Sequence, residues 1–178
     1  MKITTFKKIV VLSIFILLLG IIGCSKYSEE KETTNESNVN LNTVLKYKDS
    51  YVGDNSAISN IINNLPGNIY NERIELQTTS KPYEITIYYK SFKDISIRFE
   101  DNSLLSSSFP YVMKTNALII FSLVQNADIV NFNIADGNII TYERTSLVNE
   151  HKDDFGNNLE KITNDKSSLE NFIKTNKK

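Results

Sequence analysis

Residues 110–125 limit the possible folds more than any other part of this 178-residue chain. From Ala117 to Val124 the segment is apolar around most of its circumference, which marks the buried element against which a sheet packs. Pro110 suits the first turn of a helix, and the length favours a helix running to about residue 125. Isoleucine and phenylalanine also favour sheet, so a strand over ALIIFSLV stays open as the alternative.

Three stretches ahead of it repeat with period two. Ile74, Leu76 and Thr78 alternate with Arg73, Glu75 and Gln77. Tyr83, Ile85, Ile87 and Tyr89 alternate with Glu84, Thr86, Tyr88 and Lys90. Ile95, Ile97 and Phe99 alternate with Asp94, Ser96, Arg98 and Glu100. Clean alternation describes a sheet covered on one face and wet on the other, which favours antiparallel pairing. The links TSKP and SFKD are short enough for a meander. Further on, Val130, Phe132 and Ile134 share one face, and Asp136-Gly137-Asn138 reads as a three-residue loop. That loop sets Ile134 across from Ile140 and Phe132 across from Tyr142, with Gly137 or Asn138 left-handed. A two-residue turn would pair Phe132 with Thr141 and break the apolar face.

Helices are expected at about 56–65, capped by Asp54 or Asn55 and stopped by Pro66-Gly67, and in the tail near 146–152 and 168–175. Ser167 and Glu170 have capping-box spacing for the last of these. The expected fold is therefore α+β, a two-layer domain: an antiparallel sheet of about five strands with helices packed on one face.

The N-terminus carries a different signal. MKITTFKK has three lysines and no acid, and residues 9–23 are apolar apart from Ser13. Fifteen residues at 1.5 Å each fall short of the roughly 30 Å hydrocarbon core, so the pattern is secretory and not a span. It ends in Ile21-Ile22-Gly23-Cys24, which resembles a bacterial lipobox, and Cys24 is the single cysteine. The expectation is a lipoprotein signal peptide over 1–23, lipidation of Cys24 by diacylglycerol with its two acyl chains (palmitate), and a membrane anchor on the extracytoplasmic face. Residues 24–42, charged and amide-rich, then form a flexible tether, leaving 43–178 as the folded domain. Losing three lysines with the leader leaves 17 Lys+Arg against 21 Asp+Glu, a charge of −4. That balance and the lack of a basic stripe give no reason to expect nucleic acid. Three arginines against 17 lysines fit the codon bias of a low-GC Gram-positive cell.

Two stretches carry a resemblance: NTVLKYKDSYVGDNSAISNIINNLPG with ELQTTSKPYEITIYY, and NALIIFSLVQNADIVNFNI. They resemble the bacterial domain-of-unknown-function family numbered 4825. The similarity lies in the turn Tyr51-Val52-Gly53-Asp54-Asn55, the stop Asn64-Leu65-Pro66, Leu76-Gln77-Thr78 leading to Pro82-Tyr83, and Asn126, and it covers about 42–150. The resemblance implies a small extracytoplasmic module, alone on a lipoprotein or joined to a membrane metallopeptidase of the beta-lactam-sensor type. No H-E-x-x-H occurs here, so no peptidase role carries over.

Chemistry-bearing residues are sparse. One His and one Cys leave no zinc set, and His151 sits in a charged segment beside Glu150, Asp153 and Asp154, where a solvated ring is expected. Asp49, Asp54 and Asn55 offer oxygens to a cation or ligand, while a helix cap explains the same residues. Glu75, Glu84, Glu100 and Asp101 are the carboxylates a hydrolase would need, and cross-strand charge pairing accounts for them equally. No catalytic set, metal or cofactor follows. The leading expectation is an accessory module that binds or senses an envelope protein or polar cell-wall ligand. Its surface is Glu84, Tyr88, Lys90 and Arg98 on the wet phase of the strands, with Asp54 and Asn55 as a second surface. A structural or assembly lipoprotein and a carboxylate-dependent hydrolase are the alternatives.

Overall fold

The structure, a computed structural model, describes residues 36–90 and 94–175. Cys24, the leader and most of the expected tether lie outside the described residues. Fifteen elements follow in chain order. The strands are β1 (Glu36–Asn38), β2 (Asn71–Gln77), β3 (Glu84–Tyr89), β4 (Ile95–Arg98), β5 (Leu104–Ser107), β6 (Ile129–Ile134) and β7 (Ile139–Glu143). The α-helices are α1 (Leu41–Leu45), α2 (Asn55–Ile62), α3 (Phe109–Leu123), α4 (Arg144–Glu150), α5 (Lys152–Phe155) and α6 (Lys166–Thr175). Short 3-10 turns occupy Asn68–Tyr70 and Leu159–Thr163.

The class is α+β, but the strands form two sheets and not one antiparallel sheet of five. One sheet has the order β2-β3-β6-β7, the other β1-β4-β5. The expected meander breaks after β3. Its next neighbour is β6, which runs parallel to it, placing Ile85 beside Val130 and Ile87 beside Phe132. Alternation tells which face a residue takes and says nothing about which strand lies alongside, and Tyr89 stacks on Phe132 at 5.9 Å across the parallel pair. β4 instead pairs with β5 and, in parallel, with β1.

α3 is a helix and is enclosed. All nine residues from Thr115 to Leu123 are buried, so a two-layer arrangement with helices on one face does not describe it. Tail segments cover it: Thr163 Oγ1 bonds the Ser122 carbonyl, and the Tyr111 hydroxyl donates to the Ile173 carbonyl in α6 at 3.0 Å. Burying an aliphatic or aromatic side chain contributes about 1.5–3 kcal/mol, so the apolar side chains of this helix contribute strongly to stability.

The fold also starts earlier than residue 43. Val39 and Leu41 are core residues, and Ser37 is fully buried, donating to Asn68 Oδ1 at 2.8 Å and accepting from the Gly67 N–H at 2.9 Å. The β6–β7 connection is Ala135-Asp136-Gly137-Asn138, one residue longer than the expected loop, with Gly137 left-handed at φ 92°. Phe132 therefore faces Ile140 and Val130 faces Tyr142. A slip of two positions preserves the buried phase, which is why the pattern did not exclude it. The last helix is capped by Asp165, whose carboxylate accepts from the Ser168 N–H at 2.8 Å, and not by the Ser167–Glu170 box.

Candidate functional site

Alternation in β3 sends Ile85, Ile87 and Tyr89 inward and leaves Glu84, Thr86 and Tyr88 on the opposite face. Registers then bring partners to them. Glu75 lies beside Thr86 and Arg73 beside Tyr88 from β2, while β6 contributes Asn131 beside Thr86 and Asn133 beside Tyr88. Thr141 of β7 lies beside Asn131. One rung, Glu75–Thr86–Asn131–Thr141, thus crosses all four strands.

Hydrogen bonds hold this face in place. The Thr141 hydroxyl donates to Asn131 Oδ1 at 2.8 Å, and Asn131 Nδ2 donates to Glu84 Oε2 at 3.0 Å and to Thr86 Oγ1 at 3.4 Å. The Tyr88 hydroxyl donates to Glu75 Oε2 at 2.7 Å. Arg73 pairs with the other Glu75 oxygen and lies 3.4 Å over the Tyr88 ring. The aromatic surface is therefore covered by a guanidinium and offers no bare stacking platform. Among the described residues, Asn133 and Lys90 have no side-chain partner, which leaves an amide and an ammonium at one end of the face.

The expected site residues divide. Glu84, Tyr88 and Lys90 share this face. Arg98 does not, because β4 belongs to the other sheet, where Arg98 clasps Glu36 with one contact of 2.8 Å. That bond holds the Glu36 carboxyl below its usual range. Asp54 caps α2, accepting from the Ala57 N–H at 2.9 Å, and Asn55 is the first residue of that helix. Asp49 turns instead to Gln125 Nε2 at 3.1 Å, so these three oxygens do not converge. Glu100 pairs with Lys166, and Asp101 accepts from the Ser103 hydroxyl at 2.6 Å, which lowers its pKa. Neither joins Glu75 or Glu84 in a catalytic pair. His151 is not solvated. Its side chain is 12% exposed, Nδ1 lies 3.0 Å from Asp154, and Nε2 is buried without a partner. Among the described residues no three His, Cys, Asp or Glu are grouped to hold a metal ion.

Two groups escaped the sequence reading. Asn131, the centre of the network, was visible only as a polar-phase residue of its strand. Arg144 follows β7 and turns inward to donate to the carbonyls of Phe121 and Ala127, each at 2.7 Å, and of Val124. It neutralises the carbonyl end of α3, and burial lowers its pKa. Its signal was rarity alone, one arginine among three in the chain.

The arrangement is that of a small α+β domain with a preordered polar sheet face. More particularly, the chain belongs to the family described as Domain of unknown function (DUF4825), whose pattern matches residues 44–145. No curated protein and no solved structure matches it. The residues behind the resemblance serve the scaffold. Asn126 Oδ1 accepts from the Val52 N–H at 2.8 Å, and Gln77 bonds Thr79, Ser80 and Pro82 to shape the turn before β3. Among the described residues no helix is long and apolar enough to cross a membrane.

Proposed function

We propose that the chain is a lipid-anchored, extracytoplasmic binding module that offers the open face of its four-stranded sheet to an envelope component. The observation that carries the reading is the ordered polar network on this face, in which Thr141 bonds Asn131, Asn131 bonds Glu84 and Thr86, and Tyr88 bonds Glu75. Side chains already held by neighbours lose little rotamer freedom on binding, about 0.5–1.5 kcal/mol less per side chain than free ones. Anchoring at Cys24 is supported by the lipobox-like Ile21-Ile22-Gly23-Cys24. Eleven residues separate Cys24 from β1, a covalent reach of at most about 40 Å, so the module stays close to the bilayer.

The test places a photoreactive side chain at Thr86 and, as a control, at exposed Asn158, in the full chain in its own membrane. A discrete adduct from Thr86, absent from Asn158 and lost in Asn131→Leu, is the expected result. Equal labelling from both positions contradicts the reading. Intact mass of the mature chain tests the anchor, which fails if Cys24 is unmodified.

A further inference from the structure

The two edges of the four-stranded sheet differ. β2 carries Glu72, Arg73 and Glu75 and has a register irregularity between Asn71 and Arg73, features that discourage another strand. β7 has neither. Its sequence is IITYE, its pairing with β6 is regular, and Ile139 is 63% exposed.

Parity shows which backbone groups of β7 are unused. The Ile134 N–H donates to the Asn138 carbonyl at 2.8 Å, and the Arg144 N–H to the Asp128 carbonyl at 2.9 Å. Even-numbered residues therefore bond β6, and Ile139, Thr141 and Glu143 direct their N–H groups away from it. No described strand lies on that side. A depression of about 430 Å³ runs along the same edge, lined by Tyr142, Glu143, Ser146 and Leu147, with Lys114 and Glu150 opposite. Its charge is acidic. Lys114 is already paired with Glu150, whose carboxyl that bond holds below its usual range. Glu143 and Asp136 have no ion-pair partner among the described residues and Arg144 points inward, while Lys81 lines a neighbouring depression together with Glu143 and Asp128.

We infer that β7 receives an extended, basic polypeptide segment, which adds as a fifth strand and sets lysine or arginine side chains against Glu143 and Glu150. Backbone bonds to Ile139, Thr141 and Glu143 hold the segment, and charge selects it. The inference rests on the reading of the chain as a binding module and names the partner's chemistry.

The probe is a capped peptide alternating lysine and valine, compared with its glutamate–valine counterpart, added to the full chain in detergent micelles. Amide hydrogen exchange at Ile139, Thr141 and Glu143 is expected to be fast in the free chain and to slow about tenfold with the basic peptide only. Ile139→Pro removes an outward N–H that β6 does not use, at the first position of the strand, so the fold survives while affinity falls about tenfold. Ile139→Val keeps that N–H, and affinity holds. Glu143→Lys weakens binding without altering the melting temperature. Slow exchange at these amides without peptide overturns the inference, and if that slowing rises with protein concentration the occupant is a second copy. If the peptide leaves β7 untouched while Thr86 still gives its adduct, the edge assignment falls and the binding module stands.

Discussion

Arg144 shows how one planar cation finishes a helix that has no room for water. The carbonyls of Phe121 and Val124 close the last turn of α3, and that of Ala127 begins the turn into β6. A lysine has the charge but not the fork, so it reaches fewer of the three. Arg144→Met leaves the carbonyls without a donor and should destabilise the fold by roughly 2–4 kcal/mol, read by chemical denaturation. Arg144→Lys should fall between methionine and the native residue. If both variants match the native chain, the clamp is not a source of stability. Residue-scale chemistry was partly legible. The polar phase of β3 gave Glu84 and Tyr88 their common face, whereas Arg98 has the same phase in a strand that joins another sheet. Phase is local and sheet membership is not.

At the scale of elements, the start of the fold teaches the most. Glu36-Ser37-Asn38 reads as tether because its one buried side chain, Ser37, is secured by hydrogen bonds and not by apolar surface. β5 was hidden in the same way, in a serine-rich stretch whose only core residue is Leu105. Periodicity detects burial through hydrophobicity and misses strands held by polar bonds. A chain trimmed just before Glu36 should keep the melting temperature of the whole domain. Trimming just before Thr43 removes Val39 and Leu41 from the core and should cost about 3–6 kcal/mol. Equal melting temperatures for the two would show that β1 and the start of α1 contribute nothing.

For the molecule as a whole, charge sets the response to acid. Glu36, Asp101, Glu150 and Asp165 all have lowered pKa values, through bonds from Arg98, Ser103, Lys114 and Ser168. A lowered native pKa means the unfolded chain binds protons first as pH falls. Stability from these groups is complete above the ordinary values of 4.5 for Glu and 3.8 for Asp, and drains away below them. Melting temperature should be flat from about pH 8 to pH 5 and drop below about pH 4.5, less steeply in 1 M salt where exposed pairs are screened. A melting temperature that rises on acidification would reverse the assignment.

The enclosure of α3 bears on when the chain can fold, and not only on how stable it is. Its cover comes partly from Leu159–Thr163 and α6, the last described elements, so an emerging chain holds α3 partly unshielded until those segments arrive. Contacts this distant in sequence form late because loop closure precedes their reward. Under the proposed export, such an order would keep the chain pliable in transit, with α6 closing the domain last.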